Sequence, residues 1–206
     1  MAYPTVSKPY GFKPINLIGG QVFAGSTRKM RIASGYATSI GYGDLLVKVN
    51  DGTVARSGAT SAKPTGGFAG VFLGCEYINP TNGQLQFQQN WVGGTTVSTG
   101  VITAYVCDDP DALFQVAVVS GTTVVSGVQY TSVGENATIV NNTTITNAGD
   151  SQVALSDSTA TTDTLPIRIV DVVPDTAYVS GGNTLYPEVI VKFNFGMHAY
   201  ETAVGV

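Results

Sequence analysis

Apolar and polar residues alternate along several stretches of this 206-residue chain, and this spacing is what most constrains its fold. Near the C-terminal end, Val189, Val191 and Phe193 fall at every second position, and Phe195 continues the series. Residues two positions apart point to the same face of a β-strand, whereas a helix needs apolar residues three or four apart. No stretch in the middle of the chain keeps that helical spacing. The sequence therefore predicts an all-β protein, built as an antiparallel β-sandwich or barrel.

Turn residues divide the alternating pattern into separate strands. Residues 45–50 and 53–56 are joined by Asp51-Gly52, a dipeptide that tight two-residue turns favour, so this region is predicted to be a β-hairpin. Further strong alternation follows at residues 165–173 and 186–195. These last two stretches are predicted to form the strands that close the sheet.

Two central stretches are predicted to pack one face against the core. In the second of them, apolar residues alternate with Gln84, Gln86, Gln88 and Asn90, which would leave an amide-lined face exposed. The side chains expected on the buried faces are Val71, Leu73, Cys75, Tyr77, Leu85, Phe87 and Trp91.

The chain is predicted to have three parts. Residues 1–20 contain regularly spaced prolines between aromatic residues, which favours an extended N-terminal arm because proline fixes φ and has no N–H to donate. Residues 21–206 are expected to form a single β domain. Within it, residues 120–164 are rich in Thr, Ser, Asn, Val and Gly and contain few large apolar side chains, so this segment is predicted to be an exposed insertion.

Charge is distributed unevenly along the chain. The first 43 residues carry a net charge of +5 and no acidic residue, whereas the rest carries −9, giving −4 in total. A basic, proline-containing arm on an acidic body favours docking onto an acidic protein surface, with aromatic side chains as anchors and cations as steering or pairing charges. The alternative is that the aromatic residues pack locally in an N-terminal strand. The predicted interface residues are Tyr3, Lys8, Tyr10, Phe12, Lys13, Arg28, Lys29 and Arg31.

Two other kinds of partner are not expected. The five cations of the first 43 residues are too few for tight, salt-dependent binding of nucleic acid on a chain whose pI is about 4.7. No run approaches the 18 apolar residues of a membrane span, and the N-terminus lacks the apolar core of a secretory signal. The sequence therefore predicts neither a nucleic-acid partner nor a membrane partner.

Catalytic and metal-binding patterns are weak. His198 is the single histidine, with no nucleophile motif near it, and it is expected at a strand edge or on the surface. Cys75 and Cys107 lie in apolar alternating runs and are interpreted as small buried side chains, although a disulfide stays open. Asp108, Asp109 and Asp111 could bind a hard cation through their carboxylates, but aspartate is also common in ordinary turns. The sequence predicts no enzyme, no cofactor and no metal site.

Four stretches carry a resemblance to a known group of proteins. They are Arg31-Ile-Ala-Ser-Gly-Tyr-Ala-Thr38, Gly70-Val-Phe-Leu-Gly-Cys-Glu-Tyr77, Ala104-Tyr-Val-Cys-Asp-Asp-Pro110 and Thr164-Leu-Pro-Ile-Arg-Ile-Val170. Together they resemble structural proteins of tailed bacteriophages, in particular capsid cement or decoration proteins. The resemblance implies a β-barrel or sandwich bound in many copies to the outer surface of the capsid, with no catalytic residues.

These observations lead to one expected function and two alternatives. The first is a non-enzymatic virion protein that binds the major capsid protein and other copies of itself, as a dimer or trimer, and so stabilises the shell. A carbohydrate-binding or tail-associated adhesin would instead use Trp91, exposed tyrosines and the segment 120–164 to hold sugars. A hydrolase is the third alternative, disfavoured by the single histidine.

Overall fold

The computed structural model describes residues 6–97, 100–121, 123–124, 130–176 and 186–206, and within them it confirms the all-β prediction. Two short 3₁₀ turns, Tyr130–Ser132 and Pro174–Thr176, accompany the strands. The strands in chain order are β1 (Lys13–Leu17), β2 (Arg28–Ile32), β3 (Leu45–Lys48), β4 (Thr53–Arg56), β5 (Phe68–Ile78), β6 (Leu85–Gln88), β7 (Ile102–Cys107), β8 (Ala112–Ser120), β9 (Thr123–Val124), β10 (Asn136–Val140), β11 (Ala154–Ala160), β12 (Ile167–Val172) and β13 (Glu188–Phe193).

The first sheet closes into a five-stranded barrel. Its strands follow the order β8, β11, β10, β12 and β13, and β13 then pairs with β8 to complete the ring. The prediction that the two C-terminal strands close the sheet is confirmed, since β13 pairs with β8 and also with β12, where Ile167 lies opposite Phe193 in an antiparallel register. Closure pairs β8 with β13, and both would be edge strands in an open sheet of the same order. β1 and β9 pair with β8 outside the ring.

The second sheet also returns on itself. β3, β4, β2, β7 and β5 pair in that order, and β5 pairs again with β3. The predicted β3–β4 hairpin is confirmed, with Gly52 at φ +82° and the Asp51 carboxylate accepting a hydrogen bond from the Thr53 amide at 2.8 Å. Glycine fits this turn because side chains rarely adopt positive φ. β6 lies outside this ring and pairs with β5 alone among the described strands.

The two barrels have no strand in common, but they pack against each other through β3 and β5 of the second barrel. On β3, Leu45 packs in the core of the first barrel, and its neighbour Leu46 packs in the core of the second. β5 does the same, with Val71 in the first core and Phe72 in the second. Because adjacent side chains on a strand point to opposite faces, these two strands line both cores at once.

A β-bulge in β5 changes which side chains are buried. The pairing of β5 with β7 shifts register between Phe72 and Gly74, and this shift brings Phe72 and Cys75 into the same core although they are three residues apart. Leu73, predicted to be buried with its alternating neighbours, is partly exposed instead. A bulge adds one residue to one strand, so a strict period of two fails across it.

The predicted insertion is wrong for much of its length. Within residues 120–164, β10 and β11 are members of the first barrel, and β11 pairs in parallel with β8 through Leu155 opposite Val118. Ile139 and Leu155 are buried in the core. Few large apolar residues are needed here because the other three strands of the barrel supply the bulk of its core. Residues 122 and 125–129 lie outside the described part of the chain.

A buried polar cluster joins the two barrels. Asp44, which is fully buried, lies with Oδ2 2.8 Å from Arg56 Nε and accepts a hydrogen bond at Oδ1 from the Ser151 hydroxyl at 2.6 Å. Arg56 Nη2 donates to the Asn142 carbonyl oxygen at 2.6 Å. Since Ser151 and Asn142 belong to the segment around β10 and β11, this cluster fixes that segment against the second barrel.

Candidate protein interaction surfaces

The N-terminal segment is folded onto its own subunit from Tyr10 onward, and the prediction of a free arm over residues 1–20 is wrong for this part. β1 pairs with β8, with Leu17 opposite Ala112. Just before it, the Gly11 amide donates to the Val153 carbonyl oxygen at 3.2 Å. The segment gains backbone hydrogen bonds and apolar burial in this position, both of which an extended arm in water would lack.

Tyr10 and Phe12 are core side chains, so their prediction as exposed anchors for a partner is corrected. Phe12 is fully buried against Phe114. The Tyr10 hydroxyl donates to the buried carboxylate of Glu188, and burial together with this contact raises the Tyr10 pKa. The Lys13 ammonium lies 4.2 Å from the centre of the Tyr10 ring. The alternative of local packing therefore holds for these two aromatic residues.

A close backbone contact explains how the segment fits. Gly11 and Gly43 both have positive φ, and the Phe12 amide donates to the Gly43 carbonyl oxygen at 2.9 Å. A Cβ atom on Gly11 would lie 2.8 Å from that same oxygen. Only glycine allows the two chain segments to approach this closely. Of the remaining N-terminal candidates, Lys8 is exposed, and Tyr3 lies outside the described residues.

The cations of β2 are exposed, but two of them have acidic partners within the subunit. Arg28 pairs with Asp108. Lys29 Nζ lies 3.3 Å from Glu76, which also accepts a hydrogen bond from the Tyr105 hydroxyl at 2.6 Å. These two donors lower the Glu76 pKa, and the carboxylate in turn raises the Lys29 pKa. The exposed positions of Arg28 and Lys29 limit the strength of both pairs, because water screens them.

A basic groove lies between β2 and the β3–β4 hairpin. Its volume is about 610 Å³, and it is lined on one side by Arg28, Lys29 and Arg31 and on the other by Lys48 and Thr53. Among the described residues, Arg31 and Lys48 have no carboxylate within ion-pair distance. The sequence pointed to the three cations of β2 but not to Lys48, which comes close only because the hairpin folds beside β2.

The face of β6 is inverted relative to the sequence prediction. Leu85 and Phe87, predicted to be buried, are 59% and 67% exposed, whereas Gln86 and Gln88 are partly buried. The amide-lined face therefore points inward and the apolar face points to solvent. β6 lies outside the ring and has only one strand partner in the described part of the chain, so nothing in the second core requires its apolar side chains.

Trp91 is buried, as the alternating pattern predicts, whereas Phe195 differs from its predicted position. Trp91 is fully buried, its indole N–H donates to the Tyr36 carbonyl oxygen at 3.1 Å, and its ring packs against Tyr77. Its burial agrees with the alternating pattern but removes it from any sugar-binding surface. Phe195, predicted on the buried face, is 84% exposed because β13 ends at Phe193 and the chain turns there.

The histidine and the two cysteines that were considered as catalytic or metal-binding residues are all buried. His198 is fully buried rather than at the surface, and burial lowers its pKa to about 4. Cys75 and Cys107 are free and buried, which confirms their interpretation as core side chains. Burial raises the pKa of the Cys75 thiol to about 12 and that of Cys107 to about 11, so both stay protonated at neutral pH.

The carboxylates between β7 and β8 are held by contacts within the protein. Asp108 accepts from Arg28 and from the Tyr200 hydroxyl, and Asp111 lies 3.4 Å from Lys192 Nζ. In the part of the chain that the structure describes, no group of three or more histidine, cysteine or acidic residues is placed to hold a metal ion. A search of the described residues for a helix with the length and apolar character of a membrane span finds none.

Comparisons with known proteins do not assign the chain to a family. No protein family model matches it. Neither the curated proteins nor the solved structures contain a significant match to it.

Proposed function

We propose that this protein is a non-enzymatic structural protein that assembles with copies of itself and with major capsid subunits on the outer surface of a tailed-phage capsid. The phage setting comes from the sequence resemblance described above. The main observation that supports a structural role is the exposed apolar face of β6, where Leu85 and Phe87 project from an edge strand. Exposed apolar side chains on an unpaired strand edge favour a protein contact, because that contact removes them from water and satisfies the free backbone groups.

The partner that fits β6 is a second copy of the same strand. β6 has the sequence Leu-Gln-Phe-Gln and carries no charge, so two copies can pair antiparallel without bringing like charges together. If Gln86 faces Gln86 of the other copy, Leu85 lies opposite Phe87 in both directions. Apolar side chains then meet across the two-fold axis on one face of a continuous sheet.

Such a contact is weak in isolation and gains strength in an array. A pair of four-residue strands covers less than the roughly 1,600 Å² of a standard stable interface. On a shell that holds many copies close together, the second contact of each subunit becomes effectively intramolecular, and its weak affinity suffices. The low charge of the chain, 12% against roughly 25% in ordinary soluble domains, also suits a protein in permanent contact with others.

The first test replaces the apolar face of β6 with charge. We expect Leu85→Lys combined with Phe87→Lys to lower the weight-average mass at high protein concentration to that of the monomer, measured by sedimentation. Both side chains are exposed, so the free energy of unfolding should change by less than about 0.5 kcal/mol. The matched control, Val22→Lys combined with Phe195→Lys, places the same charges at exposed apolar positions outside β6 and should behave as the wild type. Equal self-association of all three proteins would contradict the β6 pairing.

The phage setting is tested separately, by the number of copies in purified particles relative to the major capsid protein. A cement role predicts about one copy, or about half a copy, per capsid subunit. A few copies per particle would contradict it and point to the tail.

A carbohydrate-binding role is the second candidate, and one feature favours it. A hollow of about 540 Å³ beside β6 is lined by Phe87, Tyr105, Gln89 and Asp150, which combine aromatic rings with polar groups. Trp91 takes no part, because it is buried. A glycan array distinguishes the two functions, since specific binding to a sugar supports the adhesin and a silent array supports the structural protein.

A further inference from the structure

The basic groove between β2 and the β3–β4 hairpin combines four cations with an incompletely paired strand. Arg28, Lys29, Arg31 and Lys48 all line it, and none of the acidic residues in the described part of the chain does. β2 pairs with β7 along all five of its residues, but it pairs with β4 only at Arg31 and Ile32. Among the described strands, residues 28–30 therefore have no partner on the side that faces the groove.

From this arrangement we propose that the groove binds a short, extended, acidic segment of another protein. The segment adds to β2 beside residues 28–30, where it satisfies the free backbone groups, and its carboxylates pair with Arg31 and Lys48. Three residues of strand span about 10 Å, so the segment contributes only a few residues to the pairing. The inference rests on the proposed function only in taking the partner to be a protein, and it concerns a surface separate from β6.

The charges of the groove select the acidic occupant. Arg28 and Lys29 are already paired with Asp108 and Glu76, whereas Arg31 and Lys48 have no carboxylate within ion-pair distance in the described part of the chain. The Lys48 ammonium is held 4.6 Å from the centre of the Tyr200 ring, at the edge of the groove. Two cations that have no acidic partner among the described residues attract an anionic ligand and help to fix its register.

Nucleic acid fits the same groove less well. Two of the four cations are neutralised within the subunit, and residues 44–206 carry a net charge of −9, which repels a long polyanion. An unpaired strand edge offers N–H and C=O groups spaced for a peptide backbone, and nucleic acid has no matching pattern.

The test measures binding of a fluorescent eight-residue peptide of alternating Asp and Val by anisotropy. We expect the wild-type protein to bind it, and Arg31→Gln combined with Lys48→Gln to weaken binding by about tenfold or more, because both charge pairs are lost. Arg168→Gln combined with Lys192→Gln removes one Arg and one Lys that lie opposite each other on β12 and β13 and do not line the groove, so this variant should bind as the wild type. Salt at about 1 M, where the screening length is about 3 Å, should weaken the wild-type complex.

Three results would overturn the proposal: no binding of the acidic peptide, equal binding of an Asn-Val peptide of the same length, or equal weakening in both double variants. Binding of an oligothymidylate in preference to the acidic peptide would also overturn it, in favour of nucleic acid. If the Arg31/Lys48 variant fails to fold, amide hydrogen exchange of the wild type decides. Added peptide should then slow exchange within residues 28–30, and unchanged exchange there counts against the groove. None of these outcomes depends on β6 or on a phage particle.

Discussion

Several buried polar residues in this protein depend on one or two hydrogen-bonding or charged partners. Tyr10 and Glu188 form a hydrogen bond in the core, and Asp44 has Arg56 and Ser151 as partners between the barrels. Removing one partner from such a pair leaves the other desolvated and uncompensated, which costs more than the contact itself contributes. We therefore expect substitutions of these buried polar residues to lower the free energy of unfolding.

His198 should make the free energy of unfolding depend on pH. Its Nδ1 accepts a hydrogen bond from the Tyr200 amide at 3.3 Å, while Nε2 is buried without a hydrogen-bond partner in the described structure. Burial lowers the His198 pKa from 6.5 to about 4, against the opposing charges of Asp108 and Asp109. The unfolded chain therefore binds a proton below pH 6.5 that the folded protein does not bind until about pH 4.

The free energy of unfolding should thus fall as the pH drops from about 6.5 to about 4, by up to about 3 kcal/mol, and His198 should add no further loss below that. Urea unfolding at a series of pH values measures this. His198→Gln lacks the titrating group, so the difference between the two proteins isolates the histidine from the carboxylates that titrate in the same range. Parallel pH profiles for the two proteins would contradict the prediction.

Whether a strand is buried or exposed in this protein depends on the strands that pair with it. β6 has an exposed apolar face because it is outside a closed ring, and β11 is a barrel strand because it pairs with β8 and β10. A strand with few large apolar residues is stable in such a place, since its neighbours supply the backbone hydrogen bonds and much of the core.

The segment predicted to be an insertion offers a direct test at this scale. Leu155→Ala on β11 should lower the free energy of unfolding by about 2–5 kcal/mol, because it leaves a cavity in the core. Thr143→Ala, in the exposed connection between β10 and β11, should change it by less than about 0.5 kcal/mol. Denaturant unfolding measures both. Similar small effects at the two positions would mean that residues 136–160 are an independent insertion after all.

The described part of the molecule consists of two barrels that pack against each other through β3 and β5. β3 and β5 line both cores, and the cluster around Asp44 links the barrels through buried polar contacts. If the first barrel unfolded alone, the side chains of β3 and β5 that pack in its core would be exposed to water. The two barrels are therefore expected to unfold together.

Trp91, the single tryptophan, reports on this cooperativity because it lies in the core of the second barrel. Its fluorescence and the far-ultraviolet circular dichroism of the whole chain should give the same unfolding midpoint. Leu155→Ala, which alters only the first barrel, should shift the Trp91 midpoint as far as it shifts the dichroism. An unmoved Trp91 transition in that variant would show that the barrels unfold independently.

The sequence by itself determined the secondary structure class, the β3–β4 hairpin and the two C-terminal strands that close the sheet. These features depend on alternation and on turn residues such as Asp51 and Gly52, which act locally. The uneven distribution of charge along the sequence also pointed to the cations of β2, and the alternating pattern identified Cys75 and Cys107 as core side chains.

Only the tertiary structure decided where these elements lie and which faces they expose. Phe12 enters the core because Gly11 meets Gly43, and Leu85 and Phe87 face solvent because β6 is left outside a ring. Lys48 joins the β2 cations only through the fold of the hairpin. Each of these outcomes depends on contacts between residues far apart in the chain, whereas an alternating pattern specifies two faces of a strand without saying which one the rest of the protein will cover.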